Sequence, residues 1–158
     1  MERVGTGFDA HRLVSGRPLV LGGVSIPHDK GLAGHSDGDC LLHAVCDAIL
    51  GALAAGDMGQ HFPSNDPRWK DVDSRVFVKE VARLMRSAGL AVAHLDSTVI
   101  AEAPRLGPYL EEMRASIAAL LQAEVASVSV KAKSADGLGA IGRGEGVAAF
   151  TTVLLRRG

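Results

Sequence analysis

The stretch that decides the fold is His35-Ser36-Asp37-Gly38-Asp39, which runs directly into Cys-Leu-Leu-His-Ala-Val-Cys-Asp-Ala-Ile-Leu-Gly-Ala-Leu-Ala-Ala at residues 40–55. The second part is the most apolar run of the chain, and it predicts a helix over about residues 38–55 that ends at Gly56. Asp37 or Asp39 is placed to cap the first turn. The run is interrupted by His43 and Asp47 and is too short to span a bilayer, so it predicts a helix that packs on a sheet.

Segments on both sides of this helix complete the predicted fold. Alternation of apolar and polar residues, or a high content of β-branched residues, predicts strands at residues 3–13, 18–26, 91–103, 128–133 and 147–155. Apolar residues at helical spacing predict two more helices, one from Asp73 or Ser74 to Gly89 and one over about residues 106–121. Residues 29–39 and 57–73 lack periodicity and predict loops. The expected fold is α+β: a single domain over residues 1–158, with a mixed four-stranded β-sheet, an extra N-terminal hairpin and helices packed on one face.

Composition excludes several classes of partner. The chain has 158 residues with 17 basic and 18 acidic side chains, a formal net charge of −1. No basic excess favours nucleic acid or an anionic membrane surface, so we expect neither as a partner. The N-terminus lacks the pattern of a secretory signal, and the only cysteines, Cys40 and Cys46, are expected to be reduced and buried. These features predict a cytoplasmic protein.

Two histidines and an aspartate have the spacing of a metal site. Asp9 and His11 are two residues apart, so on a strand they project from the same face. His43 lies on the predicted helix, where Asp39 or Asp47 could orient it. One carboxylate and two imidazoles are a ligand set that Zn²⁺ accepts while it keeps a fourth position open. The alternative is that His11 is a surface residue and His43 a hydrogen-bonded core histidine.

A glycine-rich segment at residues 137–142 fits the pattern G-x-G-x-x-G. The dinucleotide-binding interpretation fails, because a strand follows the segment where that motif needs the N-terminus of a helix. Backbone N–H groups of a flexible link can instead approach phosphate oxygens, with Lys131, Lys133, Ser134 and Arg143 nearby. A plain glycine hairpin remains the alternative interpretation.

Six short motifs occur in a characteristic order. They are Asp-Ala-His at residues 9–11, His-Ser-Asp-Gly-Asp at 35–39 followed by His43, Asp-Met-Gly at 57–59, Phe-Pro-Ser-Asn-Asp at 62–66, Ala-Glu-Ala-Pro-Arg-Leu at 101–106 and Gly-Arg-Gly-Glu-Gly at 142–146. Together they resemble the 2-C-methyl-D-erythritol 2,4-cyclodiphosphate synthase family, and the resemblance runs from about residue 3 to residue 155. Two positions depart from the family pattern: Ser134 stands where threonine is common, and Ala140 stands where a bulky aromatic residue is frequent.

The resemblance implies an enzyme of the non-mevalonate isoprenoid pathway. As a phosphorus–oxygen lyase, it would convert 4-diphosphocytidyl-2-C-methyl-D-erythritol 2-phosphate to the 2,4-cyclodiphosphate and CMP. The implied cofactors are Zn²⁺, held by Asp9, His11 and His43, and a second ion, Mg²⁺ or Mn²⁺, which bridges the substrate diphosphate and contacts Asp136. The resemblance also implies a homotrimer with active sites between subunits.

The same resemblance assigns roles to further residues. His35 and Ser134 would steady the transition state. The methylerythritol phosphate would be held by Ser36, Asp57, Gly59, Phe62, Pro63, Ser64, Asn65 and Asp66. The cytidine pocket would be lined by Ala101, Glu102, Ala103, Pro104, Arg105, Leu106, Gly107 and Lys133. Ala135, Ala140 and Arg143 complete the implied substrate-binding set, with Arg143 and Glu145 near the threefold axis.

Two other functions compete with this interpretation. A metal-dependent phosphohydrolase would use the same ligands to activate water, and its product would be an open-chain phosphate. A non-enzymatic oligomeric module would hold a structural metal in a closed site with four protein ligands.

Overall fold

The long first strand, β1 (Glu2–Ser15), organises the sheet. It pairs antiparallel with β7 (Gly146–Arg157), which in turn pairs antiparallel with β5 (Leu90–Ile100). Beyond β5 lies the parallel strand β6 (Val128–Lys133), and the short β4 (Lys30–Leu32) closes the opposite edge against β1. The computed structural model describes residues 1–158 and has a mixed five-stranded sheet in the order β4-β1-β7-β5-β6.

The predicted α+β class and the N-terminal hairpin are confirmed, and the strand count is corrected from four to five. The additional strand is β4, in a segment predicted as a loop, because three residues that include Gly31 are too short to show a period. The predicted single strand over residues 18–26 is two strands, β2 (Leu19–Leu21) and β3 (Val24–Ile26). Gly22 and Gly23 turn the chain between them with φ of +61° and +75°, a conformation that glycine adopts without steric cost.

Three helices of three to four turns cover the sheet: α1 (Cys40–Ala52), α3 (Arg75–Ser87) and α4 (Leu110–Leu121). The segment predicted as a loop over residues 57–73 also contains α2 (Met58–His61) and a 3₁₀ turn at Pro67–Trp69. Further 3₁₀ turns lie at Gly107–Tyr109 and Val125–Ser127. A single helical turn, α5 (Gly139–Gly142), precedes β7 where no helix was expected. Elements of one turn carry too few residues for a recognisable period, which is why the sequence did not predict them.

Helix α1 lies directly on β1, and two glycines make this possible. A Cβ added at Gly5 would stand 1.9 Å from the carbonyl oxygen of Ala48, and one at Gly7 would stand 2.0 Å from that of Ala44. Both distances are far below van der Waals contact, so only glycine permits this approach. The close packing brings the side chains of β1 and α1 to one place.

The two faces of the sheet differ. The helices pack on one face, as predicted, around a core of 35 buried residues. The other face has no helix over it and exposes Val4, Phe8 and Phe150, with 65%, 61% and 45% of their surface accessible. Phe8 and Phe150 are direct partners in the pairing of β1 with β7, so they form one apolar patch. None of the helices combines the length and apolarity needed to cross a membrane.

Candidate metal centre and active site

Strand β1 and helix α1 bring the three predicted metal ligands together. Asp9 and His11 project from the face of β1 that carries α1, and His43 projects from the first turn of that helix. Asp39, one of the two residues predicted to cap α1, is its N-cap. Its carboxylate accepts a hydrogen bond from the N–H of Leu42 at 3.0 Å. The side chains of Asp9, His11 and His43 retain exposures of 27%, 20% and 12%, so the cluster is accessible from one side.

The three ligand atoms form a small triangle. Asp9 Oδ2 lies 2.8 Å from His11 Nε2 and 2.9 Å from His43 Nδ1, and the two nitrogens are 3.3 Å apart. A tetrahedral ion with bonds of about 2.0–2.1 Å separates its ligands by about 3.3–3.4 Å. The triangle therefore fits a divalent ion once its two shorter sides expand by about 0.5 Å, with a fourth position toward solvent. The alternative in which His43 is only a core histidine does not account for this convergence.

Electrostatics at the cluster favour a cation. Burial raises the pKa of Asp9, but hydrogen bonds and charge attraction from His11 and His43 outweigh burial and lower this pKa to about 2. The hydrogen bond with Asp9 raises the pKa of His11 above its ordinary value of 6.5, while burial opposes the shift. The carboxylate is therefore ionised at neutral pH, and it attracts protons or metal ions to the two imidazoles.

Hydrogen bonds on the far side of each ring orient it toward the cluster. His11 Nδ1 donates to the carbonyl oxygen of Ala33 at 2.5 Å, which leaves Nε2 with its lone pair. His43 Nε2 contacts the hydroxyls of Ser74 at 2.8 Å and Ser36 at 3.2 Å. The prediction that Asp39 or Asp47 orients His43 is wrong, because both carboxylates are directed at backbone N–H groups.

Each of these two aspartates holds a neighbouring segment in place. Asp39 is fully buried and accepts hydrogen bonds from Gly22 and Gly23 at 2.9 and 2.8 Å, which fastens the β2–β3 hairpin to the start of α1. Burial raises the pKa of Asp39 to about 6, although the three N–H donors lower it. Asp47 accepts from Met58 N at 2.8 Å and so fixes the start of α2, with its pKa raised chiefly by burial.

A cavity of about 140 Å³ opens beside the ligand cluster. Its lining combines both imidazole ligands with aromatic and hydroxyl side chains: His11, His35, Ser36, His43, Met58, Phe62, Ser64, Trp69 and Phe77. Phe62 packs between Trp69 and Phe77, with ring centroids 5.4 and 4.6 Å away. His35 Nε2 donates to the backbone oxygen of Asp66 at 3.0 Å, which holds its ring at the rim. The aromatic wall lowers the local dielectric and strengthens charge interactions at the cluster.

A second group of predicted residues lies at or after the ends of β5 and β6, and consists of Ala101–Gly107, Lys133, Ser134, Ala135, Asp136, Ala140 and Arg143. Strand pairing places Ala149 opposite Asp9, Val99 opposite Ala149 and Ala132 opposite Val99. Three strand spacings therefore separate β1 from β6 at this level, about 14 Å. Residues 101–107 follow the carboxyl end of β5, and residues 134–136 follow that of β6, which ends at Lys133. There the Glu102 carboxylate accepts from the N–H groups of Ala135 and Gly137 at 3.1 and 3.3 Å.

Comparison with known proteins identifies the family. The model of the YgbB family matches residues 2–156. The chain belongs to the YgbB family. A 2-C-methyl-D-erythritol 2,4-cyclodiphosphate synthase from Geobacillus kaustophilus is 57% identical over 157 residues, which is 99% of each chain.

Solved structures agree with this assignment to the YgbB family. A 2C-methyl-D-erythritol-2,4-cyclodiphosphate synthase in its CDP-bound form aligns with a TM-score of 0.89 at 37% identity, covering 98% of this chain and 100% of that one. The bifunctional IspDF from Campylobacter jejuni aligns with a TM-score of 0.96 at 37% identity, covering all of this chain and 43% of that longer chain.

The cavity of this YgbB family member collects some of the predicted residues and adds others. His35, Ser36, Phe62 and Ser64 line it beside the ligands. Five predicted residues of the same segment do not line the cavity: Asp57, Gly59, Pro63, Asn65 and Asp66. The second group also lies outside the cavity lining: Ala101–Gly107, Lys133, Ser134, Ala135, Asp136, Ala140 and Arg143.

Four residues at the site were not predicted. Met58, Trp69 and Phe77 line the cavity, and Ser74 contacts His43. Met58 lies inside the Asp-Met-Gly motif, so its position was a usable signal. Trp69 and Phe77 reach the site through tertiary packing, which no local pattern reveals.

Proposed function

We propose that this chain converts 4-diphosphocytidyl-2-C-methyl-D-erythritol 2-phosphate to 2-C-methyl-D-erythritol 2,4-cyclodiphosphate and CMP, as a cyclising phosphorus–oxygen lyase of the non-mevalonate isoprenoid pathway. The observation that carries the proposal is the open triangle of Asp9, His11 and His43 in a chain that matches the YgbB family over residues 2–156. The whole chain acts as one catalytic domain. Cytoplasmic location is part of the proposal, in keeping with the free cysteines Cys40 and Cys46.

The proposed resident ion is Zn²⁺, held by Asp9, His11 and His43, since two imidazoles and a carboxylate suit this metal. Asp136 would contact a second ion, Mg²⁺ or Mn²⁺, at the substrate diphosphate. The ions supply positive charge against the phosphate oxygens. This charge is needed because the chain itself has a net charge of −1 and the substrate carries three phosphates.

The side chains of the protein align the reacting groups. An oxygen of the 2-phosphate attacks the β-phosphorus, the bond from this phosphorus to the CMP oxygen breaks, and CMP leaves. Such a transfer depends on in-line geometry and on stabilisation of charge, which His35 and Ser134 provide in our proposal. The aromatic wall of Phe62, Trp69 and Phe77 limits access of water, which favours attack by the tethered phosphate over hydrolysis.

Substrate contacts are divided between the two groups of residues. Ser36, Asp57, Gly59 and residues 62–66 would bind the methylerythritol phosphate next to the cavity. Residues 101–107 with Lys133 and Ala135 would bind the cytidine, and the CDP-bound relative supports a cytidine site in the family. Ala140 and Arg143 would complete the site, with Arg143 fixed by an ion pair to Glu145 at 2.8 Å.

We also propose that the chain works as a homotrimer with active sites between subunits. The cavity of about 140 Å³ is smaller than the roughly 300–1,000 Å³ of typical ligand sites. A neighbouring subunit could supply the missing wall with its own second group. The apolar patch of Phe8 and Phe150 is the surface that assembly would bury.

Product analysis tests the proposed reaction. The purified protein is incubated with the cytidylyl substrate and Mg²⁺, and the products are identified by ³¹P NMR. We expect CMP together with the cyclic diphosphate. An open-chain bisphosphate would instead identify a metal-dependent phosphohydrolase.

The matched control is His43→Ala. We expect this variant to fold, to lose the metal and to lose turnover, because His43 supplies one ligand from a helix that is otherwise held by core packing. Unfolding of the variant on loss of the metal, without turnover by the wild type, would indicate a structural metal module.

A further inference from the structure

A chain of hydrogen-bonded polar groups, centred on the buried Ser74, extends from His43 away from the ligand cluster. His43 Nε2 lies 2.8 Å from the hydroxyl of Ser74, and this hydroxyl lies 2.5 Å from Asp37 Oδ1. Ser74 is completely buried, so water does not compete for its hydroxyl. We call Asp37, Ser74 and His43 the relay.

The direction of each hydrogen bond in the relay follows from the groups involved. The carboxylate oxygens of Asp37 accept hydrogen bonds, and the hydroxyl of Ser74 has one hydrogen to donate. Ser74 therefore donates to Asp37 and accepts from His43 Nε2–H. With its proton on Nε2, a neutral imidazole keeps the Nδ1 lone pair, and this Nδ1 is the atom directed at Asp9 and His11.

Without the relay, the ligand cluster itself would favour the wrong tautomer. Asp9 Oδ2 lies 2.9 Å from His43 Nδ1 and would accept a proton placed there. That tautomer has no lone pair on Nδ1 and cannot bind a metal through this atom. For His11 the competing tautomer is excluded by the carbonyl of Ala33, but His43 has no carbonyl oxygen as a partner.

The hydroxyl of Ser74 is not used to stabilise its own helix. Ser74 is the N-cap residue of α3, yet its side chain makes no capping hydrogen bond. Its backbone N–H donates to Asp37 Oδ2 at 3.0 Å, so both oxygens of Asp37 hold Ser74 in position under His43. The weaker contact of Ser36 Oγ, at 3.2 Å from Nε2, adds a second acceptor.

We propose that Asp37 and Ser74 are positioning residues that hold His43 in the Nε2–H tautomer and so present Nδ1 for metal binding. This inference rests on the proposed metal-dependent function. Hydrogen-bond partners of ligating histidines typically change metal affinity or activity by about 10–100-fold when they are removed.

The first test is metal affinity in the Ser74→Ala variant. The matched control is Ser97→Ala, since Ser97 is also fully buried and its hydroxyl bonds another hydroxyl, that of Thr151, at 2.7 Å within the sheet. Zn²⁺ affinity is measured by competition with a chromophoric chelator. We expect Ser74→Ala to bind Zn²⁺ about 10–100-fold more weakly than wild type, and Ser97→Ala to bind like wild type. Equal affinities in all three proteins would overturn the proposal.

The second test reads the tautomer directly in the metal-free protein. Two-bond ¹H–¹⁵N correlation spectra, recorded at alkaline pH, distinguish a protonated Nε2 from a protonated Nδ1. We expect Nε2–H for His43 in wild type and a shift toward Nδ1–H in Ser74→Ala, with a smaller shift in Asp37→Asn. An unchanged Nε2–H in Ser74→Ala would contradict the relay, even if stability had fallen.

The two tests separate failure of the inference from failure of the proposed function. If wild type shows Nε2–H and the variant shows the shift, but neither protein binds a divalent ion, the metal-dependent function is wrong and the tautomer assignment stands. If wild type binds Zn²⁺ and turns over substrate while Ser74→Ala is unchanged in affinity and tautomer, the relay is wrong and the function stands.

Discussion

At the scale of single residues, His11 is the place where protons and a metal ion compete. Its pKa is raised above 6.5 by the hydrogen bond with Asp9, so the protonated ring persists to higher pH than in a free histidine. Binding through Nε2 requires the neutral ring, and the metal must displace the proton as pH falls. Asp9, with a pKa of about 2, stays ionised throughout and adds no proton competition near neutral pH.

Zn²⁺ affinity should therefore fall as pH is lowered from 8 to 6, approaching about tenfold per pH unit for each proton displaced. Competition titrations at fixed ionic strength measure this dependence. His28→Gln is the control, because His28 forms a similar pair with Asp29 at 3.3 Å but contributes no ligand, so this variant should keep the wild-type profile. A flat affinity between pH 8 and pH 6 would mean that histidine nitrogens are not the ligands.

At the scale of secondary-structure elements, the contact of α1 with β1 determines whether the site forms. Gly7→Ala places a methyl group 2.0 Å from the carbonyl oxygen of Ala44, and backbone on both sides has to move apart. We expect a loss of stability of about 3 kcal/mol, together with weaker metal binding, because β1 carries Asp9 and His11 while α1 carries His43. Urea unfolding and chelator competition measure the two effects.

The control lies on the same pair of elements. Gly51 is an exposed residue of α1, and a Cβ there meets only the oxygen of Thr6, at an ordinary 3.7 Å. Gly51→Ala should leave metal affinity unchanged and stabilise the fold by about 0.5–1 kcal/mol through helix propensity. Equal stability of the two variants would show that α1 and β1 tolerate separation.

The sequence predicts a helix or strand well where the element is long enough for its hydrophobic period to repeat. Helix α1 and strand β6 were predicted close to their observed bounds, since 13 and 6 residues show the helical and the alternating pattern. Strand β4 and helix α2 have three and four residues, and their conformation depends on partners that are remote in sequence.

The residues of the candidate site likewise fall into those that a local sequence pattern predicts and those that only tertiary packing brings to the site. Asp9 and His11 share a strand face and His43 follows on a helix, so their convergence could be predicted from two local periods. Ser74 was predicted only as a possible helix cap, because its contact with His43 depends on how α3 packs against α1. Trp69 lies in an aperiodic segment, so nothing local indicated that it lines the cavity.

At the scale of the whole molecule, the uncovered sheet face predicts assembly. Phe8 and Phe150 are paired across β1 and β7 and are 61% and 45% exposed in the single chain. Phe8→Asp places a charge in the centre of the patch and should reduce the mass measured by light scattering from three chains to the single chain of 16.4 kDa. Val125→Asp, at an apolar residue 44% exposed outside the sheet, should leave the mass unchanged. A monomeric wild type would contradict the assembly.

If the active sites lie between subunits, two inactive variants should complement each other. His43→Ala removes a ligand of the first group and Lys133→Ala removes a residue of the second group, about 14 Å away across the sheet. In trimers that mix the two chains at random, a site is intact where a chain with His43 faces a chain with Lys133, which is about one quarter of all sites. Co-expression should therefore restore up to a quarter of wild-type turnover, while each variant alone stays inactive.

Co-expression of wild type with the double variant supplies the control. If the active sites lie between subunits, about one quarter of them are again intact in this mixture. If each active site lies within one chain, about one half are intact. No activity in the first mixture and half activity in the second would mean that each chain holds both groups of its own active site.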